Sequence, residues 1–425
     1  MTQPAVLPTT VVAHSVGKKV PLTLSIFAAI VLVCFGALGS TASAHFGLSS
    51  AGDAFTLPEL VLPGRISNLI IGLFMAGIAA LAWVRRNQAR PLGRGWIIAF
   101  AALFVLSFLI WVVSGARTPS ISLAGLLAGA AVLAVPLVFG SLSGIMCERA
   151  GVVNIAIEGQ LLGGAFTAAL VGSMTQNAYL GLIAAGVAGA LVSLVLALFS
   201  IKYVVNQIIV GVVLNVLVSG LTGFLFTTVM QADAELYNNP PRLPIIEIPG
   251  LSAIPILGPI LFKQSVIGYL MYIAVAVVWY ALFKTRWGLR VRAVGEHPKA
   301  ADTLGIKVNA TRFWNVTLGG IIAGIGGSFF TLVAVESFTK EISGGRGFIA
   351  LAAVIFGRWN PIGAFLAALL FGFADNLQVI LTIIGTPVPS QFMAMMPYLV
   401  TIFAVAGLVG RSRGPAAVGE PYLKE

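Results

Sequence analysis

Cys147-Glu148-Arg149-Ala150-Gly151-Val152-Val153-Asn154-Ile155-Ala156-Ile157-Glu158-Gly159-Gln160-Leu161-Leu162-Gly163-Gly164-Ala165-Phe166 is a polar interruption in a run of apolar sequence. Upstream, 123–146 contains no charged residue and is long enough to cross a bilayer, which takes ~20 apolar residues. Glu148, Arg149, Asn154, Glu158 and Gln160 stand at or just beyond the end of that span. An ionised Glu158 facing hydrocarbon would cost at least ~2.5 kcal/mol at a helix centre. It must therefore face protein or a water-filled cavity. Gly159, Gly163 and Gly164 allow close helix approach and local unwinding. Two readings stay open on sequence alone. One is a broken helix lining a solute path; the other is a polar knot in which Glu158 and Asn154 cap neighbouring backbone groups.

The same economy of charge holds along the whole chain. Of its 425 residues, 58% are hydrophobic and 9% charged, against roughly 25% charged in soluble domains. Apolar stretches recur near 22–40, 66–84, 95–115, 123–146, 178–202, 206–230, 265–284, 313–335, 361–382 and 391–410. Two shorter ones, 156–173 and 347–357, are interrupted by glycine and polar residues and are expected as partial or broken helices. The fold class is all-α: a polytopic integral membrane protein with about 10–12 transmembrane or partial helices, both termini cytoplasmic. The net charge of +11 sits in short loops between apolar runs, where it orients the chain in the bilayer. It forms no continuous basic face, so nucleic acid is not an expected partner and lipid is.

Loop charge sets the expected topology. Arg85, Arg86, Arg90 and Arg94 hold the loop between the second and third spans inside. The segment 284–312 is the clearest inside loop, with Lys284, Arg286, Arg290, Arg292, Lys299, Lys307 and Arg312 against Glu296 and Asp302, a net +5. By contrast 231–264 has a net charge of −1 and six prolines, and is expected as an ordered but non-helical outer loop. Arg411 and Arg413 close the last helix on the inside. Lys18 and Lys19 before an apolar run, with Ala42-Ser43-Ala44 after it, imitate a cleavable signal. However, Pro21 to Ser40 exceeds the 7–15 residues of a signal core, so an uncleaved first helix is expected. Cys34 and Cys147 are placed for neither a disulfide nor a metal site, and no cofactor is implied. Polar residues are few within the spans of 1–117 and frequent after 118. The expected division is an N-terminal three-span extension (1–117), a transport core (118–410) and a cytoplasmic tail (411–425).

Asn206, Gln207, Asn215, Asn315, Asp375, Asn376 and Gln378 are further polar candidates within or beside spans. Amides both donate and accept, which suits hydroxyl-bearing solutes; equally they stitch helices together at ~0.6–2 kcal/mol each. Asp375 needs a basic partner or water. Gly320 and Gly324, in the glycine-rich run 319–327, make a close-packing face. Ile342-Ser343-Gly344-Gly345-Arg346 superficially resembles an ATPase signature, yet the chain has no G-x-x-x-x-G-K-[ST] phosphate loop. ATP binding is not expected, and neither is catalysis.

The string 148–160 resembles the signature of permease subunits of bacterial ABC importers for purine nucleosides and simple sugars. This group falls within the branched-chain amino acid and ribose permease superfamily. A second match is Leu289-Arg290-Val291-Arg292-Ala293-Val294-Gly295-Glu296-His297-Pro298-Lys299-Ala300-Ala301-Asp302-Thr303-Leu304-Gly305-Ile306-Lys307-Val308. A third is Gly357-Arg358-Trp359-Asn360-Pro361-Ile362-Gly363 with Phe371-Gly372-Phe373-Ala374-Asp375. The resemblance covers about 118–410 and leaves 1–115 outside it. It implies a translocation pathway for purine nucleosides, with pentose or hexose sugars as the alternative, lined by Asn154, Glu158, Gln160, Asn215, Asp375 and Asn376. It also implies that Arg290, Arg292, Glu296, Ala300, Ala301 and Gly305 belong to a coupling loop, whose Ala/Gly face a cytoplasmic ABC ATPase approaches. Lys299 stands where many such importers have Glu, which leaves Glu296 without an assigned salt bridge. The other implied partners are a second related permease chain and an extracytoplasmic solute-binding protein docking near 231–264. A different class, an ion-coupled secondary transporter, would use Glu158 or Asp375 to bind a coupling proton. The basic Ala/Gly loop favours the ATP-driven reading.

Overall fold

The computed structural model describes residues 18–49, 52–386, 392, 395 and 414–424. In lipid, a chain must satisfy its backbone polar groups internally, which leaves helices as the economical solution. Two compact units result, one from the described parts of 1–48, 57–123 and 380–393, the other from those of 49–56, 124–379 and 394–425.

In the first unit, α1 (Lys19–Ile30) continues through a π-helical turn (Val31–Ala37) and packs with α2 (Gly64–Asn87) and α3 (Arg94–Ser114). Aromatic contacts hold the three together: Phe27 meets Phe104 edge-on at 5.1 Å and Phe35 stacks on Trp111 at 4.7 Å. The buried Asn68 of α2 ties the other two helices, donating to the Phe35 carbonyl at 3.3 Å and accepting from Ser107 at 2.7 Å. A small sheet joins the helix ends, with β1 (Ser43–Gly47) antiparallel to β2 (Leu60–Pro63) and parallel to β3 (Ser120–Ser122).

The second unit runs α4 (Leu123–Arg149), α5 (Ile157–Thr175), α6 (Ala178–Ala197, extended to Lys202), α7 (Gln207–Leu225, extended to Met230), α8 (Ala234–Tyr237), α9 (Val266–Lys284), α10 (Arg286–Glu296), α11 (Pro298–Thr303), α12 (Val308–Phe329, extended to Ala334), α13 (Arg346–Phe356) and α14 (Pro361–Ile383). Among the described residues nine helices are long and apolar enough to cross a membrane: α1 to α4, α6, α7, α9, α12 and α14. Their bounds lie within a few residues of the stretches expected from sequence. The tenth, 391–410, lies outside the described residues apart from Phe392 and Met395, and so do Arg411 and Arg413 after it. On α7, Ile208, Ile209, Val212, Val213, Val216, Leu217 and Leu221 are exposed. In water such a face would drive association; in a bilayer it is the solvated surface.

Two expectations change. The piece 156–173, expected as a partial or broken helix, is the unbroken 19-residue α5, about 28 Å long at 1.5 Å per residue. Thirteen of its residues are buried, because α4, α6, α7, α12 and α13 surround it. Protein rather than lipid is its solvent, so glycines and polar groups do not break it. The break falls before it, at 150–156. The 11-residue α13 spans only about 16 Å, half of a ~30 Å hydrocarbon core, and is a partial helix as expected. The loop 231–264 is not wholly non-helical: it holds α8, a π-helical turn at Gly258–Phe262, and an antiparallel ribbon of β4 (Ile245–Glu247) with β5 (Lys263–Ser265). Asn238 anchors it, accepting from the Phe338 amide at 2.6 Å and donating to the Phe338 carbonyl at 3.0 Å.

α5, α6 and α12 meet along glycine. A Cβ on Gly164 would lie 2.8 Å from the Gly324 Cα, and one on Gly324 would lie 3.0 Å from the Gly189 Cα. Three backbones thus touch at one level, the arrangement that small residues permit in membranes.

Candidate functional site

The segment 147–166 turns at Gly151, whose φ of +91° is open to glycine at little cost. On either side of that turn the polar side chains Glu148, Arg149 and Asn154 are engaged. The Glu148 carboxylate accepts from the Trp359 indole, and Arg149 Nε donates to the Trp359 carbonyl at 3.0 Å. Arg149 also lies over the Phe283 ring, 5.4 Å from its centre. Gln207 Oε1 accepts from the Val153 amide at 2.7 Å.

Next comes a closed amide network. Asn154 Nδ2 donates to Ser143 Oγ and to Gln160 Oε1, both at 3.1 Å. Gln160 Nε2 donates to Asn154 Oδ1 at 3.2 Å and to Ser193 Oγ at 2.8 Å. All four side chains are fully buried, and they join α4, α5, α6 and the turn between the first two. Replacing Gln160 with leucine leaves Asn154 Oδ1 and Ser193 without these partners. Stranded buried polar groups cost about 1–3 kcal/mol each, so Gln160→Leu should lower the melting temperature of the solubilised chain by several degrees. An unchanged melting temperature would show that the network holds nothing together.

One turn on, the chemistry is anionic. Glu158 Oε1 accepts from Ser343 Oγ at 2.6 Å and from the Gly345 amide at 2.8 Å, and Oε2 accepts from the Gly347 amide at 2.6 Å. These donors surround the N-terminus of α13, where unpaired N–H groups and the helix dipole favour a negative charge. Gly344 and Gly345, at φ +56° and +80°, turn the chain to present them. A Cβ on Gly347 would fall 2.5 Å from the Glu158 Cα, so only glycine lets the carboxylate approach. The cradle is the string 342–346, which resembles an ATPase signature in letters, together with Gly347; in space it binds this chain's own Glu158.

The other candidates fall around this centre. Asn215 on α7 accepts from the Gly159 amide at 2.8 Å and donates to the Ile155 carbonyl at 2.9 Å. Asp375 on α14 faces Arg346, with Oδ2 4.0 Å from Nε, and Arg346 lies over Phe330. Asn376 donates to the Leu126 carbonyl of α4 at 2.7 Å. Asn206 caps α7 through the Ile208 and Ile209 amides. Asn315 turns back on the Thr311 carbonyl of its own helix. Gln378 is partly buried on α14. Sequence reasoning gave no role to Ser143, Ser193, Ser343, Arg346 or Trp359; Ser343 and Arg346 stood in a glycine-rich string and Trp359 in the third matching motif, whereas Ser143 and Ser193 carried no signal.

The expected coupling loop is a pair of helices, α10 and α11. The expected Ala/Gly face divides: Ala300 and Gly305 are exposed, while Ala301 is buried against Val294 and Val308. Arg290 is exposed, and Arg292 lies over Phe283. Glu296 accepts from the Ala416 amide at 3.2 Å, so its partner is backbone. A groove of about 450 Å³ beside α9 and α14, lined by Tyr272, Val275, Ala276, Trp279, Tyr280, Ile362 and Phe365, is almost wholly apolar. It offers a hydroxylated solute neither an amide nor a carboxylate.

Lipid-facing helices around a hydrogen-bonded polar centre, with a basic helix pair at one end, define the membrane-embedded part of a solute transporter. The chain belongs to the family described as the permease component of branched-chain amino acid transport systems, which matches residues 126–405. It is 41% identical to the guanosine ABC transporter permease protein NupQ of Bacillus subtilis, over 69% of this chain and 94% of that protein. Against the nucleoside ABC transporter permease protein NupC of Lactococcus lactis it is 40% identical, over 69% and 95%. It is also 33% identical to a putative glucose ABC transporter permease protein of Haloferax volcanii, over 71% and 98%. No solved structure matches. The chain is a multi-pass ABC permease, a transport subunit rather than an enzyme.

Proposed function

We propose that this chain forms the pathway of an ATP-driven importer for nucleosides, purine nucleosides first, across the plasma membrane. The substrate class is carried by the 41% and 40% identity to guanosine and nucleoside permeases. The sugar reading has weaker support, from 33% identity to a putative glucose permease. The secondary-transporter reading loses ground, because Glu158 already accepts three hydrogen bonds and Asp375 faces Arg346.

The pathway follows a contiguous belt of half-buried polar groups: Asn215, Glu158, Arg346 and Asp375, extended by Ser219, which donates to Glu341 at 3.2 Å. Asn154, Gln160 and Asn376 are buried and hold the helices that carry the belt. A second permease chain completes the path. Two of the organisms above supply a second, more distant match, NupP of Bacillus subtilis at 25% and NupB of Lactococcus lactis at 23% identity. A cytoplasmic ATPase docks on the exposed side of α10 and α11, and a solute-binding protein delivers solute near 231–264. The core is 118–410, around the family match, and 1–117 is an appended three-span extension.

The test is uptake of radiolabelled guanosine into proteoliposomes holding this chain, a second permease, an ATPase and a binding protein. Uptake should require ATP, be inhibited by unlabelled purine nucleosides and ignore excess glucose. Ala300→Arg should abolish it by blocking the dock. Ala300 suits this better than Gly305, whose φ of +80° strains any side chain by about 1–2 kcal/mol. Inhibition by glucose would establish the sugar reading, and ion-driven uptake without the ATPase would sink the importer reading.

A further inference from the structure

The C-terminal tail, 414–424, lies along α10 and α11 and reaches the Gly151 turn. Gly414 sits on the Trp359 indole. The Ala416 amide donates to Glu296 Oε2 at 3.2 Å and the Ala417 amide to the Gly295 carbonyl at 2.9 Å. The Gly419 amide then donates to the Gly151 carbonyl at 3.2 Å. Tyr422 is buried with Val294, Ala301 and Val308, and Lys424 Nζ lies 3.9 Å from Asp302.

Arg312 of α12 gives this path a physical demand. Its side chain is 2% exposed, and its Nε and Nη2 have no acceptor among the described residues. Nη1 donates to the Glu420 carbonyl at 2.8 Å. The point where a Gly151 Cβ would stand is 2.8 Å from this Nη2 and 3.3 Å from the Ala417 carbonyl oxygen. A buried guanidinium needs acceptors, and the tail supplies one at the point where α12 and the α4–α5 turn converge.

We propose that residues 414–424 are a positioning strap that makes the coupling helices and the Gly151 turn one mechanical unit. A push on α11 passes through Tyr422 and Lys424 to Gly419, and from Gly419 to Gly151. From there it reaches the Val152–Ala156 segment, α5 and the Glu158 cradle. Ala300, Leu304 and Gly305 stay exposed for the partner. This role rests on the ATPase-driven reading above, whereas the seating of the strap does not.

The experiment uses the reconstituted complex with three variants: deletion of 414–425, Gly419→Pro and Tyr422→Ala. Proline removes the Gly419 amide and cannot adopt its φ of +81°. In each variant the ATPase should still copurify and hydrolyse ATP. Solute moved per ATP should fall about fivefold or more, the lower end of ordinary coupling between sites. An unchanged ratio in the deletion overturns the strap, and where the deletion fails to assemble, the ratio for Tyr422→Ala decides. A second arm needs no transport. In a chain whose Cys34 and Cys147 are replaced by serine, maleimide should label Ala417→Cys more slowly than Leu423→Cys, since Ala417 is 3% and Leu423 67% exposed. Equal rates overturn the seated strap even if guanosine uptake is absent, an absence that counts against the importer reading alone.

Discussion

Glu158→Ala is expected to destabilise the chain by about 2–7 kcal/mol and to abolish uptake. The mutation removes the acceptor for Ser343 and for the Gly345 and Gly347 amides. The two stranded amides cost about 1–3 kcal/mol each, and the lost charge at the α13 N-terminus adds about 0.3–1 kcal/mol. Proteins hold only about 5–15 kcal/mol in reserve, so the expected change is large. Glu158→Gln should fall between, because its carbonyl still accepts while its amide points a donor at a donor. Thermal unfolding separates the two roles open to this residue. If the carboxylate served the solute alone, alanine would keep the wild-type melting temperature and change only uptake. A wild-type melting temperature in both variants would sink the cradle.

The cradle also shows what a one-dimensional reading can see. Span positions were legible because lipid demands length and apolarity, and α2, α9 and α14 begin and end near the expected residues. Hydropathy measures transfer into lipid, and α5 never makes that transfer. Its composition, with Glu158, Gln160 and four glycines, answers to neighbouring helices, so it looked broken. The polar knot at 148–160 was legible as a conflict needing partners, but the partners were not. Ser343 and Gly347 lie some 185–189 residues away, and nothing local marks a backbone amide as a receptor for a distant carboxylate. Ala301 carried the opposite error. Pairing it with Ala300 suggested one small-residue face, whereas adjacent helical residues diverge by about 100° and Ala301 turns inward.

Gly324→Leu is expected to prevent the folded chain from accumulating, and Gly324→Ala to lower its melting temperature by many degrees. The space where a side chain would start is filled by the backbone of Ala185 and Gly189, and Gly164 presses on Gly324 from α5. A side chain can rotate away from a clash; a helix backbone cannot. Overpacking in cores costs about 1–3 kcal/mol when side chains can adjust, so the cost here lies above that range. The control is on α7, where Gly220 and Gly223 have nothing within 4 Å of the point where a Cβ would stand. Alanine there should be neutral or stabilise by up to about 1 kcal/mol, the ordinary helix preference over glycine. Both sets are glycines in apolar helices, so composition and hydropathy predict equal effects. Comparable losses at Gly223 and Gly324 would show that glycine matters for flexibility throughout. Loss confined to Gly324 assigns it to contact between α5, α6 and α12, of which α5 and α6 carry Gln160 and Ser193 of the Asn154–Gln160 network.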